Sequence, residues 1–175
     1  LGGVGCNSSK NSSKNDFKKS PVVTAEQKKR IQTMCEDLDR SISHYRWGIK
    51  TCEGIDWKTE SDSVENRPLI WTEFGNPQST NKTLIFSMVH PDEITPLYLG
   101  FQLAHWLKDR EKEFKDIHVI VAPFINPDGH FHKPPIRMNA RGVDVNRNFP
   151  TQDWNEHALK IWKGRLKSNK RRFPG

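Results

Sequence analysis

The sequence predicts an α/β domain with a mixed, largely parallel sheet that carries helices on both faces. Nearly continuous apolar runs at 83–89 and 117–123 are typical of buried strands. A helical pattern over 97–107 separates them, and a strand, a helix and a strand at this spacing form a βαβ unit. With 175 residues, the chain is long enough for one domain with a hydrophobic core.

Upstream of this unit we predict one helix, one loop and one strand. Thr24 is a candidate N-cap with Gln27 as its capping-box partner, so an amphipathic helix is predicted over about 24–46. Four apolar residues support it at helical spacing: Ile31, Met34, Leu38 and Ile42. Residues 54–66 are polar and predict a loop, and 68–74 predict a strand.

The two buried strands are expected to end beside each other. The first leads into His90, and the second leads into the turn at 126–129. In open α/β sheets, ligands bind beyond the carboxyl ends of the strands, so both segments belong to a candidate site. Between them, Thr95 is predicted to cap a helix with Pro96 at its first position. A last helix is predicted over 153–167.

The terminal segments are polar and basic. Residues 1–30 and 159–175 hold half of the 28 Lys and Arg residues. We predict that residues 1–20 are a disordered tether and that residues 21–175 are the N-terminal part of a domain. The net charge of +7 could attract nucleic acid, but no RNA-binding pattern with interleaved aromatic residues occurs. We therefore expect solvated tails and no nucleic-acid partner.

The N-terminus predicts export. A run of small residues leads into Cys6 and a polar stretch follows, which resembles the end of a bacterial lipoprotein signal. Gly3 departs from that pattern, because such signals usually carry Leu there. We expect a periplasmic or membrane-anchored protein with a lipid on Cys6; the alternative is a cytoplasmic protein. Cys35 and Cys52 are then either a disulfide or two unpaired apolar residues. No run is apolar enough to span a membrane.

His90 and Glu93 form a His-x-x-Glu motif directly after a predicted strand. An imidazole and a carboxylate on one turn can reach a single ion, and zinc accepts this mixture of ligands. Catalytic zinc usually takes three protein ligands and a water molecule. Because four-residue matches are common, the motif alone is equally consistent with a histidine satisfied in the core or in a loop.

A second segment is rich in arginine. Arg137, Arg141 and Arg147 lie within eleven residues, and Asn139, Asn146 and Asn148 lie between or beside them. Guanidinium groups donate paired hydrogen bonds to carboxylates and to developing oxyanions. The alternative is a surface loop whose arginines pair with local acids, but that would leave the His-x-x-Glu motif unexplained.

Together these motifs resemble the zinc metallocarboxypeptidase family, of the carboxypeptidase A type. The resemblance covers about residues 67–175 and includes Asn-Pro-Asp-Gly at 126–129. Its most specific part is the string Asp-x-Asn-Arg-Asn-Phe at 144–149. The residues at 148–154 are most similar to the branch that includes murein peptide amidases, which trim bacterial cell-wall peptides.

The resemblance implies a zinc site. His90 and Glu93 match the first two zinc ligands, and Asp144 matches the acid that orients the first histidine. The family usually has Gly after that histidine, whereas this chain has Pro91. Proline fixes φ and lacks an N–H group, so the path of this loop could differ slightly.

The resemblance also implies a peptide substrate with a free carboxylate. Arg137 matches the arginine that polarises the scissile carbonyl and steadies the oxyanion. Asn146 and Arg147 match the pair that binds the terminal carboxylate. The implied reaction is zinc-assisted attack of water on an amide.

Two catalytic parts of the family pattern are missing. Its third zinc ligand and its glutamate base lie well beyond Arg147, after which only 28 residues remain. Glu156 and His157 do not match those positions, and His130 and His132 are weak candidates for a third ligand. We therefore expect an N-terminal fragment of a longer enzyme, with an incomplete domain, a missing ligand and base beyond residue 175, and no activity on its own.

The leading hypothesis is a zinc-dependent metallocarboxypeptidase that hydrolyses peptides with a free carboxylate, including cell-wall peptides. One alternative is an amide deacylase of the aspartoacylase type, which shares the His-x-x-Glu and Asn-Arg elements. The other is a non-catalytic domain that binds carboxylates or peptides. The sequence does not indicate an oligomeric state.

Overall fold

Four strands form one mixed sheet in the computed structural model, which describes residues 22–175. The strands are β1 (Lys58–Asp62), β2 (Pro68–Gly75), β3 (Lys82–Phe86) and β4 (His118–Ala122). Their order across the sheet is β1-β2-β4-β3, with β3 parallel to β4 and β2 antiparallel to both of its neighbours. The predicted mixed α/β fold is confirmed. The sheet holds fewer parallel pairs than expected, because β1 and β2 are joined by a short turn and must be antiparallel.

The helices are α1 (Ala25–Ile42), α2 (Thr95–Asp109), α3 (Pro127–Phe131) and α4 (Trp154–Lys163). The start of α1 is confirmed, since Thr24 accepts from the Gln27 backbone and Gln27 returns a capping-box bond. The predicted role of Thr95 is wrong. Thr95 is the first residue of α2, whose N-cap, Ile94, contributes no side-chain hydrogen bond.

The described core lies between the sheet and the helices. It joins apolar residues of α1 and α2 to alternate residues of β2 and to β4, including Leu38, Ile70, Phe101 and Val121, which are at most 1% exposed. On β3, by contrast, Leu84 and Phe86 are 57% and 46% exposed. The prediction that 83–89 is buried on both faces is therefore wrong for this part of the chain, and the strand itself ends at Phe86.

The predicted loop at 54–66 is also corrected, because it contains β1. This strand is Lys-Thr-Glu-Ser-Asp and lies at the edge of the sheet, where only Thr59 is buried. An edge strand with exposed side chains needs no apolar alternation, so the sequence carried no strand pattern.

A disulfide joins Cys35 of α1 to Cys52, with the two Cα atoms 5.9 Å apart. This settles the alternative left open by the sequence in favour of a pair. The predicted tether at 1–20 and the lipid at Cys6 lie outside the described residues. Within residues 22–175, every helix is too short or too polar to cross a bilayer.

Candidate active site

His90 and Glu93 lie on one turn between β3 and α2. The Glu93 N–H donates to the His90 carbonyl at 2.9 Å, which closes the turn and directs both side chains to the same place. His90 Nδ1 is 3.4 Å from Glu93 Oε1. The His90 side chain is 7% exposed, whereas that of Glu93 is 56% exposed. The motif therefore presents a buried imidazole and an accessible carboxylate to one point.

Asp144 connects this turn to the arginine segment. One of its carboxylate oxygens is 2.9 Å from His90 Nε2, and the other accepts from Arg137 Nε at 3.0 Å. Its side chain is completely buried. The predicted contact between Asp144 and His90 is present, and the link to Arg137 was not predicted.

These partners keep Asp144 ionised. Burial alone would raise its pKa, but the hydrogen bonds from His90 and Arg137 and the positive charge of Arg137 outweigh burial and lower the pKa. Burial likewise opposes the charged form of Arg137, yet the hydrogen bonds and charges of Asp144 and Glu93 raise the pKa of the guanidinium.

An ionised Asp144 fixes the tautomer of His90. A carboxylate can only accept, so His90 Nε2 must carry the proton and donate it. Nδ1, on the side of Glu93, is then the ring nitrogen that faces a metal ion. Histidine ligands in metalloproteins are commonly oriented by a carboxylate in this way.

Arg137 closes the cluster, because its NH1 group donates to Glu93 Oε1 at 2.8 Å. The side chains of His90, Glu93, Arg137 and Asp144 thus form one continuous network. The family resemblance had placed all four in one site. Among its acidic and basic side chains, the two carboxylates of Glu93 and Asp144 face the one guanidinium of Arg137. The surplus negative charge lies at Glu93, the exposed end, which favours binding of a cation there.

Asn146 and Arg147 follow Asp144 on a short 3₁₀ turn, Val145–Arg147. Asp144 sets this turn by accepting from the Asn146 N–H at 3.1 Å. Arg147 donates through NH1 to the Asn146 carbonyl at 2.7 Å, and Trp154 Nε1 donates to the Arg147 carbonyl at 2.7 Å. No carboxylate of the described residues pairs with Arg147, so its charge is available to an anion.

A cavity of about 160 Å³ lies beside Arg147. Arg172 contributes a second guanidinium to its lining, and α4 contributes the aromatic side chains of Trp154 and Trp162. Asp153 also lines this cavity, so two guanidinium groups face one carboxylate. Together with the two aromatic rings, they can hold an anionic group with an apolar portion.

The weaker candidates for a third ligand are engaged elsewhere. His130 Nε2 is 2.8 Å from Ser41 Oγ of α1, and burial lowers the pKa of His130 to about 4. His132 Nδ1 is bonded to the Pro134 carbonyl, and His157 lies 3.7 Å from Glu156. In the part of the chain that the structure describes, no three His, Cys, Asp or Glu side chains are placed to hold a metal ion together.

The donor set nevertheless fits one half of a zinc site. His90 offers an oriented imidazole nitrogen and Glu93 an accessible carboxylate, and both are ordinary zinc ligands. The fit is chemical as well as spatial, since Asp144 supplies the partner that such a histidine needs.

Some contacts of the site could not be found from the sequence. Arg171 forms an ion pair with Asp92, between the two candidate ligands, and the Asp144 N–H donates to the Phe173 carbonyl at 2.8 Å. The segment at 171–173 therefore supports the site from 27 residues or more away along the chain. Asn126 also bonds to the backbone on both sides of the cluster. Only the tertiary fold brings these groups together, and no local pattern marks them.

A family model for zinc carboxypeptidase matches residues 26–170. Murein peptide amidase A of Escherichia coli K12 is 35% identical over 95 residues, which are 54% of this chain and 36% of that protein. Carboxypeptidase SOL1 of Arabidopsis thaliana is 37% identical over 71 residues, which are 37% of this chain and 14% of that protein. The chain therefore spans only about a third, or less, of these curated relatives.

Solved structures show the same fold. The carboxypeptidase A of Helicoverpa armigera matches 74% of this chain and 34% of its own, with 21% identity and a TM-score of 0.50. Bovine thrombin-activatable fibrinolysis inhibitor matches 71% of this chain and 44% of its own, with 17% identity and a TM-score of 0.50. The family match extends further towards the N-terminus than the resemblance at 67–175, and the chain belongs to the zinc carboxypeptidase family.

Proposed function

We propose that this chain carries part of the active site of a zinc-dependent metallocarboxypeptidase that hydrolyses peptides with a free carboxylate. The observation that carries the proposal is the buried Asp144, which binds His90 and Arg137 with its two oxygens. One carboxylate thereby orients a candidate metal ligand and a candidate oxyanion partner at the same place.

His90 Nδ1 and Glu93 would hold the zinc ion. When bound, zinc supplies Lewis acidity and activates water. Asp144 accepts from His90 Nε2, so the ring nitrogen that points to the metal end is Nδ1. Because Arg137 NH1 lies 2.8 Å from Glu93 Oε1, a carbonyl oxygen held at this end of the network is within reach of its guanidinium.

Asn146 and Arg147 would bind the terminal carboxylate of the substrate. Both are fixed to Asp144 through the 3₁₀ turn, so the distance from the carboxylate clamp to the metal end is set by one rigid segment. A clamp at a fixed distance selects the terminal amide bond, which is the selectivity of a carboxypeptidase.

Bacterial cell-wall peptides are the proposed substrate class. This rests on the 35% identity to murein peptide amidase A over 95 residues and on the resemblance at 148–154. The Cys35–Cys52 disulfide supports export, because disulfides persist in oxidising compartments. A lipid anchor at Cys6 in a periplasmic protein is part of the same proposal, and mass spectrometry of the N-terminal peptide from the native host would test it.

Zinc affinity, measured by competition with a chromophoric chelator, tests the metal assignment. His90→Ala should weaken binding at least about tenfold. His44→Ala is the matched control, because His44 is exposed and its ring lies against that of Tyr45, away from the candidate ligands. If both variants bind zinc like the wild type, the assignment is wrong.

Hydrolysis by the protein purified from its native host tests the substrate assignment. This protein should cleave a cell-wall peptide with a free terminal carboxylate and leave the matching amide intact. Equal cleavage of both would remove the carboxylate clamp from the proposal. Activity confined to N-acyl amino acids would favour the deacylase alternative.

Carboxylate binding without turnover is a second candidate for residues 1–175. It is favoured because no third ligand joins His90 and Glu93 among the described residues, while Arg147 lacks a carboxylate partner there. Peptide binding without hydrolysis by this chain would support it, and hydrolysis by this chain would exclude it.

A further inference from the structure

Asn126 is a buried side chain whose amide spans the two halves of the site. It is 2% exposed. Its Nδ2 group donates to the carbonyl of Val89 at 3.2 Å and to the carbonyl of Arg137 at 3.4 Å. Val89 immediately precedes His90, so one amide group holds the backbone of the candidate metal loop and that of the candidate oxyanion arginine.

The third bond of this amide fixes its orientation. Asn126 Oδ1 accepts from the Gly129 N–H at 3.2 Å and thereby caps α3. Rotating the amide by 180° would turn its oxygen towards two carbonyls and its NH₂ group towards an N–H donor. Only the observed orientation satisfies all three contacts.

The turn that carries Asn126 is itself anchored. The Asp128 side chain is 3% exposed and accepts from Arg67 at 2.6 Å, from Ser63 Oγ at 2.7 Å and from the Glu65 N–H at 3.2 Å. These donors lie on the connection between β1 and β2. The turn that carries Asn126 is therefore anchored to the sheet, so the two hydrogen bonds that Asn126 donates can hold the loops in place.

Close packing on the other side of the turn leaves the loops little freedom. A Cβ atom on Gly129 would lie 2.5 Å from the Met138 carbonyl oxygen and 3.0 Å from Pro91 Cγ. The backbone of Met138 and the ring of Pro91 thus both pack closely against α3 at Gly129. Pro91, the residue at which the chain departs from the family pattern, therefore packs against α3.

We propose that Asn126 is a positioning residue of the site: its amide sets the separation of the His90 and Arg137 loops, so that both side chains reach Asp144. Its relevance to zinc and substrate rests on the proposed function. The positioning itself does not, because it is a property of the metal-free chain.

Two substitutions separate this role from helix capping. Asn126→Asp keeps the shape and the acceptor for Gly129 but removes both donors. Asn126→Ser also keeps a capping oxygen. Asp and Ser are good N-caps, so a residue that only caps α3 would tolerate both changes. Thr51→Val is the control, because it removes a buried hydroxyl that donates to Asp39, away from the site.

Hydrogen exchange of the Arg137 Nε–H group, followed by ¹⁵N NMR, is the direct measurement. This proton bonds to Asp144, and its resonance is assigned by its loss in Arg137→Lys. In both Asn126 variants, the Arg137 Nε–H proton should exchange up to about tenfold faster than in the wild type, as expected for the loss of one hydrogen bond. Thr51→Val should leave the rate unchanged. Wild-type exchange in both Asn126 variants would overturn the proposal.

Folding of the variants and their affinity for zinc distinguish the remaining explanations. If both Asn126 variants fail to fold while Thr51→Val folds, Asn126 supports the whole fold and the specific role is overturned. Zinc titration separates the two proposals, since the Asn126 variants should bind zinc about tenfold more weakly than the wild type. Faster Arg137 exchange in a protein that never binds zinc would support the positioning role and contradict the proposed function.

Discussion

Asp144 accepts a hydrogen bond from His90 Nε2 at 2.9 Å, and both side chains lie within the protein interior. A buried carboxylate is costly unless its partners compensate for the lost water. Here it determines which nitrogen of His90 carries the proton, and therefore which nitrogen can bind a metal. The contact thus links the stability of the fold to the chemistry of the site.

Asp144→Asn should weaken zinc binding by about 10- to 100-fold. The amide can present its NH₂ group to His90 in place of an acceptor and so disturb the tautomer. It also loses the ion pair with Arg137, which should cost stability. Chelator competition measures the first effect and urea unfolding the second. Asp153→Asn is the control, since Asp153 is exposed and should change neither.

The free energy of unfolding should fall by up to about 3 kcal/mol as the pH drops from 6.5 to 4, because of His130. Burial lowers the pKa of His130 from 6.5 to about 4, so in this window the unfolded chain binds a proton that the folded chain does not. Stability is therefore lost as the pH falls.

His130→Gln carries no titrating group and should show a smaller loss over the same window. Denaturant unfolding at several pH values gives the comparison. His44→Gln, at an exposed histidine, controls for the substitution itself. Identical pH profiles for the wild type and His130→Gln would contradict this account of His130.

The Cys35–Cys52 disulfide should contribute about 3 kcal/mol, the value expected for a short loop, as the two residues are 17 apart in sequence. Reducing agent should lower the unfolding midpoint of the wild type. The double variant Cys35→Ser, Cys52→Ser should be less stable and insensitive to reductant. If reductant shifts the double variant as much as the wild type, the stabilisation does not come from this bond.

Arg147→Ala should weaken binding of a dipeptide with a free carboxylate by about 10- to 100-fold, and Arg147→Lys should recover only part of it. A lysine keeps the charge but not the paired donors. The matching dipeptide amide should bind weakly to all variants. Isothermal titration with Arg165→Ala as the control, an exposed arginine, would reveal an effect of net charge alone.

The sequence predicted what local patterns encode. The Thr24 and Gln27 capping box and the apolar stripe of α1 were enough to locate that helix. The apolar run before His90 placed His90 and Glu93 at the end of a strand, and the family resemblance led us to expect Arg137 and Asp144 beside them. The structure brings the four together. Their catalytic roles remain predictions.

What the sequence missed depends on tertiary context. β1 is polar because it is an edge strand, so no alternation marked it. The apolar run that contains Leu84 indicated burial on both faces, yet this side chain is more than half exposed in the described part of the chain. Asn126 lay within a recognised motif, but its bonds to Val89 and Arg137 appear only once three separate segments are packed together.

Anomalous diffraction at the zinc edge from crystals grown with zinc tests the central claim most directly. The account predicts one strong peak about 2.0–2.1 Å from His90 Nδ1, with a Glu93 carboxylate oxygen at about 2.0–2.2 Å. His90 Nε2 should remain bonded to Asp144. A peak bound through Nε2, or zinc bound only at other histidines, would contradict the account.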